Sequence, residues 1–237
     1  MNIGFLFAGK LPVEMAGVFC GAVRQAIPSA NLVQLTDAET PHLECADEVV
    51  RVPIEGEDLI LWRCRHHKQM EGAWIVLDYD CWPQRNLTLL FAQNTFDIAL
   101  TRRPENDETV SEVLREHSPH NFGVIFQRER GRQFWQALED IYSQSVHRDG
   151  WLGGQILAGQ VLQKLSKQIN CLELPGTYFN WTPKTKDEDV RARAVVHYKG
   201  FRKAWMLERG GYSAEDAERL GKLAEEPVHA RMKQYRL

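Results

Sequence analysis

Gly72-Ala73-Trp74-Ile75-Val76-Leu77-Asp78-Tyr79-Asp80-Cys81-Trp82-Pro83 is the stretch whose reading decides the fold. From Trp74 to Leu77 the run is apolar and unbroken, and it stops at two carboxylates one residue apart. Such a run is a strand buried on both faces, as in a parallel sheet covered by helices. Open α/β sheets bind ligands outside the C-terminal ends of their strands, which is where Asp78 and Asp80 fall. On an extended strand, side chains at i and i+2 point the same way; where the chain turns past the strand end, both carboxylates can approach one cation and leave positions open.

Upstream, Asn2 to Ala8 reads as a first strand, and Gly9-Lys10-Leu11-Pro12 turns it into a helix carrying Val13, Ala16, Val23 and Ile27. Asn31 to Thr36 and Glu48 to Ile54 are two further strands. Asp58 to Met70 has helical spacing in Leu59, Ile60, Cys64 and His67, with Arg63, Arg65, His66 and Lys68 around the other faces. Adjacent helix positions diverge by roughly 100°, so His66 and His67 read as solvent-facing residues rather than a metal pair.

Downstream, a helix over Leu87 to Gln93 and a strand over Asp97 to Thr101 lead to an exposed, charged loop from Arg102 to Asp107. A strand over Asn121 to Phe126 follows, then a helix marked by Phe134, Leu138 and Ile141, and another from Gly154 to Lys167. Leu172 to Thr177 reads as a strand and turn, and Ala192 to Tyr198 as the last strand. The helix after Ser213 is expected to stop before Pro227, leaving a basic, frayed tail from His229. The alternation predicts a single α/β domain over residues 1–237, a mixed and mostly parallel sheet with helices on both faces, and residues 206–237 as a C-terminal helical extension and tail.

Composition narrows the function. With 29 basic and 32 acidic side chains and a formal charge of −3, there is no general attraction to nucleic acid or membrane. The five cysteines are odd in number and contain no Cys-x-x-Cys pair, so neither a disulfide framework nor a structural zinc site is indicated. No apolar run approaches the length of a membrane span, and Ile3 to Ala8 lacks the basic start of a signal peptide. A cytoplasmic protein is expected, with the basic tail of Arg231, Lys233 and Arg236 as its one means of lying against a membrane surface.

More than a hundred residues after Asp80, His197 sits at the polar end of Ala194-Val195-Val196 and could be a further ligand to the cation. Behind it, Lys199 to Lys203 could hold an anion such as a diphosphate: Gly200 lets the backbone come close and Lys203 supplies a point charge. At these residues the sequence resembles glycosyltransferases of the GT-A (Rossmann-like) fold, and most of all family eight, the glycogenin- and galactosyltransferase-like enzymes. Asp78-Tyr79-Asp80 looks like their Asp-x-Asp motif. His197-Tyr198-x-Gly200-x-x-Lys203-x-Trp205 looks like their His-aromatic-x-Gly-x-x-Lys-Pro-Trp motif, with Ala204 where the family has proline. Asn121-x-Gly123-Val124 is similar to the strand that helps form their acceptor side, and the resemblance runs from the first strand to about Trp205.

The resemblance implies that Asp78, Asp80 and His197 hold Mn²⁺ or Mg²⁺. It implies that Ala8, Gly9, Asp78, Tyr79, Asn121, Gly200 and Lys203 bind a nucleotide sugar, UDP-linked in most of the family, with Arg63 or Arg65 reaching the phosphates. One imidazole among oxygen ligands favours Mn²⁺ over Mg²⁺. The family retains anomeric configuration, and a glycan is the acceptor expected by analogy; a protein or nucleic-acid acceptor stays open. One departure matters: where the family carries an acidic residue beside a glutamine ahead of a helix, this chain has Trp151-Leu152-Gly153-Gly154-Gln155. Gln155 can be carried over as catalytic, and Asp149 is the carboxylate that could replace the missing acid. Two other readings compete. One is an Asp-x-Asp phosphatase of the haloacid dehalogenase type, which places its motif on the first strand; the other is a nucleotide-sugar-binding protein without turnover.

Overall fold

Leu6 and Asp78 stand opposite each other in a parallel ladder at the centre of the molecule. The structure is a computed structural model that describes residues 1–54, 58–103, 118–145 and 150–234. β1 (Asn2–Leu6) lies between β2 (Asn31–Thr36) and β4 (Trp74–Asp78), parallel to both, and β3 (Glu48–Arg51) continues the row beyond β2. Beyond β4 come β7 (His120–Gln127), β6 (Ile98–Arg102) and β8 (Cys171–Pro175), giving the order β3-β2-β1-β4-β7-β6-β8. β7 runs antiparallel to both neighbours, and all other pairs are parallel. This is the mixed, mostly parallel sheet expected. It puts the Asp pair on the fourth strand beside an antiparallel one, unlike a phosphatase motif on the first strand.

Both faces of the sheet are covered, which is why its central strands are apolar without alternation. On one face lie α1 (Val13–Ala26), α7 (Lys203–Arg209) and α8 (Ala214–Gln234), enclosing Phe5, Phe19, Leu77, Met206 and Leu220. On the other lie α2 (Leu59–Gln69), α4 (Arg132–Gln144) and α5 (Gly150–Leu165), enclosing Trp62, Val76, Phe122, Trp135 and Val161. The short α3 (Leu89–Gln93) and α6 (Gly176–Phe179) are connectors. Among the described residues no helix is long and apolar enough to cross a membrane.

Several sequence expectations change. His66 and His67 do not face solvent; they are 1% and 0% exposed. Both faces of α2 are packed, with the sheet on one side and α4 on the other, where His67 stacks on Trp135 at a centroid distance of 4.0 Å. One amphipathic stripe is all that a single helix sequence displays, so the second cover is invisible in it. The helix expected from Gly154 begins at Gly150, so Gln155 lies in its second turn rather than at its start. α8 continues through Pro227 to Gln234 in place of a frayed tail from His229, showing that one proline can be carried within a long helix. The expected loop over residues 104–107 and Asp149 lie outside the described residues.

Candidate functional site

Pairing outside the main sheet assembles the site. β5 (Cys81–Pro83) and β9 (Val195–His197) form a two-stranded antiparallel sheet in which Cys81 faces His197, so the end of β9 is laid against the Asp78-Tyr79-Asp80 turn. The Tyr198 N–H donates to the Asp80 carbonyl at 2.9 Å and locks the two segments together. Beyond His197 the chain turns at Gly200, whose φ of 60° is a left-handed conformation that glycine adopts without strain, and enters α7 at Lys203.

The side chains then converge. His197 Nε2 lies 2.8 Å from Asp80 Oδ1 and 3.7 Å from Asp78 Oδ2, and Lys203 Nζ lies 3.1 Å from Asp80 Oδ2. All four residues are buried. Burial by itself would raise the Asp80 carboxyl, but the His197 ring and the Lys203 ammonium outweigh it and hold it well below the usual carboxylate range. Arg63, buried on α2, donates to Asp78 Oδ1 at 2.5 Å and to the Phe122 carbonyl at 2.6 Å. Arg63, one of the two candidate arginines, thus reaches Asp78, and Arg65 lies 3.4 Å from Glu139.

Ligand atoms of Asp80, Cys81 and His197 lie within 4.8 Å of one another, a grouping that could hold a metal ion. Cys81 fits that role poorly: burial, then the neighbouring Asp80 and Asp78, push its thiol well up, and its Sγ–H donates to the Gly123 carbonyl at 3.4 Å. Asp78 Oδ2 is the better third donor. Two carboxylate oxygens and one imidazole nitrogen suit a divalent cation of the Mn²⁺ and Mg²⁺ type more than a thiolate-preferring metal.

Past the end of β1, Gly9 has φ 78° and its N–H donates to Thr40 Oγ1 at 2.7 Å; Ala8 is half-buried against the core on the α2 face of the sheet. Phe7 meets Tyr79 edge to face at 5.7 Å. The Tyr79 hydroxyl is raised well above its ordinary value by burial, then by Asp80, Asp78 and Glu225. Glu225 of α8 is a neighbour that sequence reasoning missed. Its Oε1 is buried without a hydrogen-bond partner among the described residues, and it lies 3.8 Å from where a Cβ on Gly200 would sit. α8 comes this close because Gly221 packs on Ala204: a Cβ on Gly221 would lie 3.0 Å from the Ala204 nitrogen. A proline at 204 would carry its ring on that nitrogen, so the departure from the family motif matches the seating of α8.

Asn121 is buried on β7 beside a register shift of β6 against β7 at Leu100 and Thr101. The irregularity bends the β7 backbone next to the site. Asn121 Oδ1 accepts from the Gly123 N–H at 2.8 Å and from Asn180 Nδ2 at 2.7 Å. Asn180 also escaped the sequence reading, since Phe179-Asn180-Trp181 shows no periodic or motif signal. Gln155 is buried and its Oε1 accepts from Arg103 at 2.5 Å. Next to it there is no room for the missing acid: a Cβ on Gly154 would lie 2.6 Å from Ile60 Cγ2.

No family model matches the sequence, and no curated protein sequence matches it. Solved structures do. The galactosyltransferase LgtC, in complex with donor and acceptor sugar analogues, is similar with a TM-score of 0.60 at 15% identity over 94% of this chain and 95% of that one. A glycosyltransferase involved in glycosylation of the major capsid of PBCV-1 gives 0.58 at 14% identity over 94% of this chain and 100% of that one. Glycosyltransferase GlyE of Streptococcus pneumoniae gives 0.60 at 14% identity, with 96% of this chain covering 64% of that one. At such identities the likeness is one of fold, and the chain has the GT-A architecture of these solved glycosyltransferases.

Proposed function

We propose that the chain is a glycosyltransferase that binds a nucleotide-diphospho-sugar, a UDP-hexose, at the C-terminal ends of β1 and β4 and passes the sugar, with retention, to a hydroxyl of a glycan. The observation that carries this reading is the meeting of Asp78, Asp80, His197 and Lys203 at one point of a GT-A sheet. Asp78, Asp80 and His197 would hold Mn²⁺ or Mg²⁺. When bound, the cation supplies positive charge to the departing diphosphate.

The chain's own residues supply the rest. Lys203 sets a second positive charge beside the same phosphates, and the Gly200 turn lets backbone approach them. Arg63 holds Asp78 in place from α2. Ala8, Gly9 and Tyr79 flank the base and ribose, and Asn121 and Gln155 face the sugar and acceptor. Ile60 fills the space over Gly154, so no carboxylate stands directly before Gln155, and Asp149, outside the described residues, is the one that would supply it. That packing is also what favours the second reading, a protein that binds nucleotide sugars without turning them over.

Calorimetric titration with UDP, with and without Mn²⁺, tests the binding site. Binding should require the metal and disappear in Asp80→Ala and His197→Ala; metal-independent binding would sink the assignment. Hydrolysis of a panel of nucleotide sugars then separates the readings: release of free sugar from one donor supports the transferase, and tight binding without release supports the binding protein.

A further inference from the structure

Asn180 lies behind His197, on the opposite side of the ring from the carboxylates. Its Oδ1 is 2.8 Å from His197 Nδ1, and its Nδ2 is 2.8 Å from Thr101 Oγ1 and 2.7 Å from Asn121 Oδ1. Amide oxygen and nitrogen must be told apart by their partners, and here a backbone group decides the assignment. The Gly123 N–H can only donate, so the Asn121 atom 2.8 Å from it is the oxygen. An amide oxygen can only accept, so the Asn180 atom facing it is the NH₂ group. The Thr101 hydroxyl, which donates to the Asn121 carbonyl at 3.0 Å, offers its lone pair to the other hydrogen of that NH₂. The remaining Asn180 atom, facing His197 Nδ1, is then an oxygen, and Nδ1 must carry a proton.

The consequence falls on the other ring nitrogen. With the proton on Nδ1, Nε2 of the neutral ring is left with its lone pair directed at Asp80 Oδ1, 2.8 Å away. Two lone pairs face each other at that distance only with a positive centre, a proton or a metal ion, between them. A ring that carried its proton on Nε2 instead would offer the cation nothing. Gly123 makes room for the ring in this position, since a Cβ there would come within 2.3 Å of Cε1 and 2.6 Å of Nδ1.

We infer that Asn180 is a positioning residue for the cation site, the last link of a hydrogen-bonded relay from the Gly123 N–H through Asn121 and Asn180 that holds the His197 proton on Nδ1 and leaves Nε2 free to bind a divalent cation. The inference rests on the metal site proposed above. Among metal-ligating histidines generally, losing the partner on the second nitrogen weakens metal binding by roughly 10- to 100-fold.

The test uses the full chain and Mn²⁺ alone, followed by the loss of the free-ion electron paramagnetic resonance signal, in the parent and in Asn180→Leu. Mn²⁺ affinity should fall by roughly 10- to 100-fold in the variant. Equal affinity in both proteins overturns the relay while leaving the metal site standing. A parent that does not bind Mn²⁺ removes the metal site, and the inference with it. A second measurement does not depend on the variant's folding: ¹⁵N NMR of the parent's His197 ring, with and without Mg²⁺, should show a protonated Nδ1 in both states. An unprotonated Nδ1 in either state overturns the inference.

Discussion

The Cα of Gly123 sits directly under the imidazole of His197, so that a Cβ on residue 123 would come within 2.3 Å of Cε1. Any side chain at 123 must push the ring off its place beside Asp80. Gly123→Ala is therefore predicted to lower Mn²⁺ affinity by about 10-fold or more, the effect of misaligning one ligand. The overpacking should destabilise the fold by about 1–3 kcal/mol. Mn²⁺ titration together with urea denaturation checks both. A variant that binds Mn²⁺ like the parent would mean that the ring can shift freely.

The vacancy beside Gln155 makes a second prediction. Ile60 occupies the space over Gly154, with Cγ2 2.6 Å and Cδ1 3.1 Å from a Cβ there. Gly154→Asp alone should cost about 1–3 kcal/mol of stability through overpacking. Ile60→Ala alone should cost about 2–5 kcal/mol through the cavity it leaves. The double variant should be more stable than the sum of the two, with a coupling of at least about 0.5 kcal/mol, because each change makes room for the other. Denaturation midpoints of the four proteins complete the cycle, and strict additivity would show that the two sites do not compete for one space.

Glu225 bears on donor affinity. Its Oε1 has no hydrogen-bond partner among the described residues and lies over the Gly200 turn, where the proposed diphosphate would add further negative charge. Like charges a few ångströms apart near a protein surface repel by the order of 1 kcal/mol or more. Glu225→Gln keeps the shape and removes the charge, so UDP should bind about 5-fold more tightly or better. Calorimetry at fixed Mn²⁺ measures it; an unchanged or weaker affinity would place the carboxylate clear of the bound diphosphate.

How much of this was legible in the sequence depends on how local each signal is. Trp74 to Asp80 announces its strand and its carboxylates within a few residues, because a buried parallel strand has no polar face. His197, Gly200 and Lys203 keep fixed spacings along one short segment, and the fold brings them to Asp80 through the β5 and β9 pairing. Asn180, Thr40 and Glu225 act across long stretches of chain, and residue types that are common in loops and on helices carry no spacing to find them by. Ile60 reads as an ordinary core residue; only the helix packing shows that it fills the space over Gly154. The two histidines of α2 were misread for the same reason, since the cover that α4 provides is a tertiary fact.

Those histidines predict how stability depends on pH. His66 Nε2 pairs with the Thr36 carbonyl at 3.1 Å, so the neutral ring donates there, while Nδ1 is buried without a partner among the described residues. Burial, only partly offset by that bond, pulls its pKa from 6.5 down to about 4. His67, wholly buried against Trp135, is pulled down as well, again chiefly by burial. Below pH 6.5 the unfolded chain takes up a proton at His66 that the folded chain refuses until about pH 4. The unfolded state thus binds more protons in that window, so stability falls as pH falls through it and changes no further from this source below it. For His66 alone the loss amounts to about 3 kcal/mol. Urea denaturation of the parent and of His66→Gln across this range should show the variant with the flatter profile. Two profiles of equal slope would mean that His66 is protonated in the folded protein as readily as in the unfolded chain.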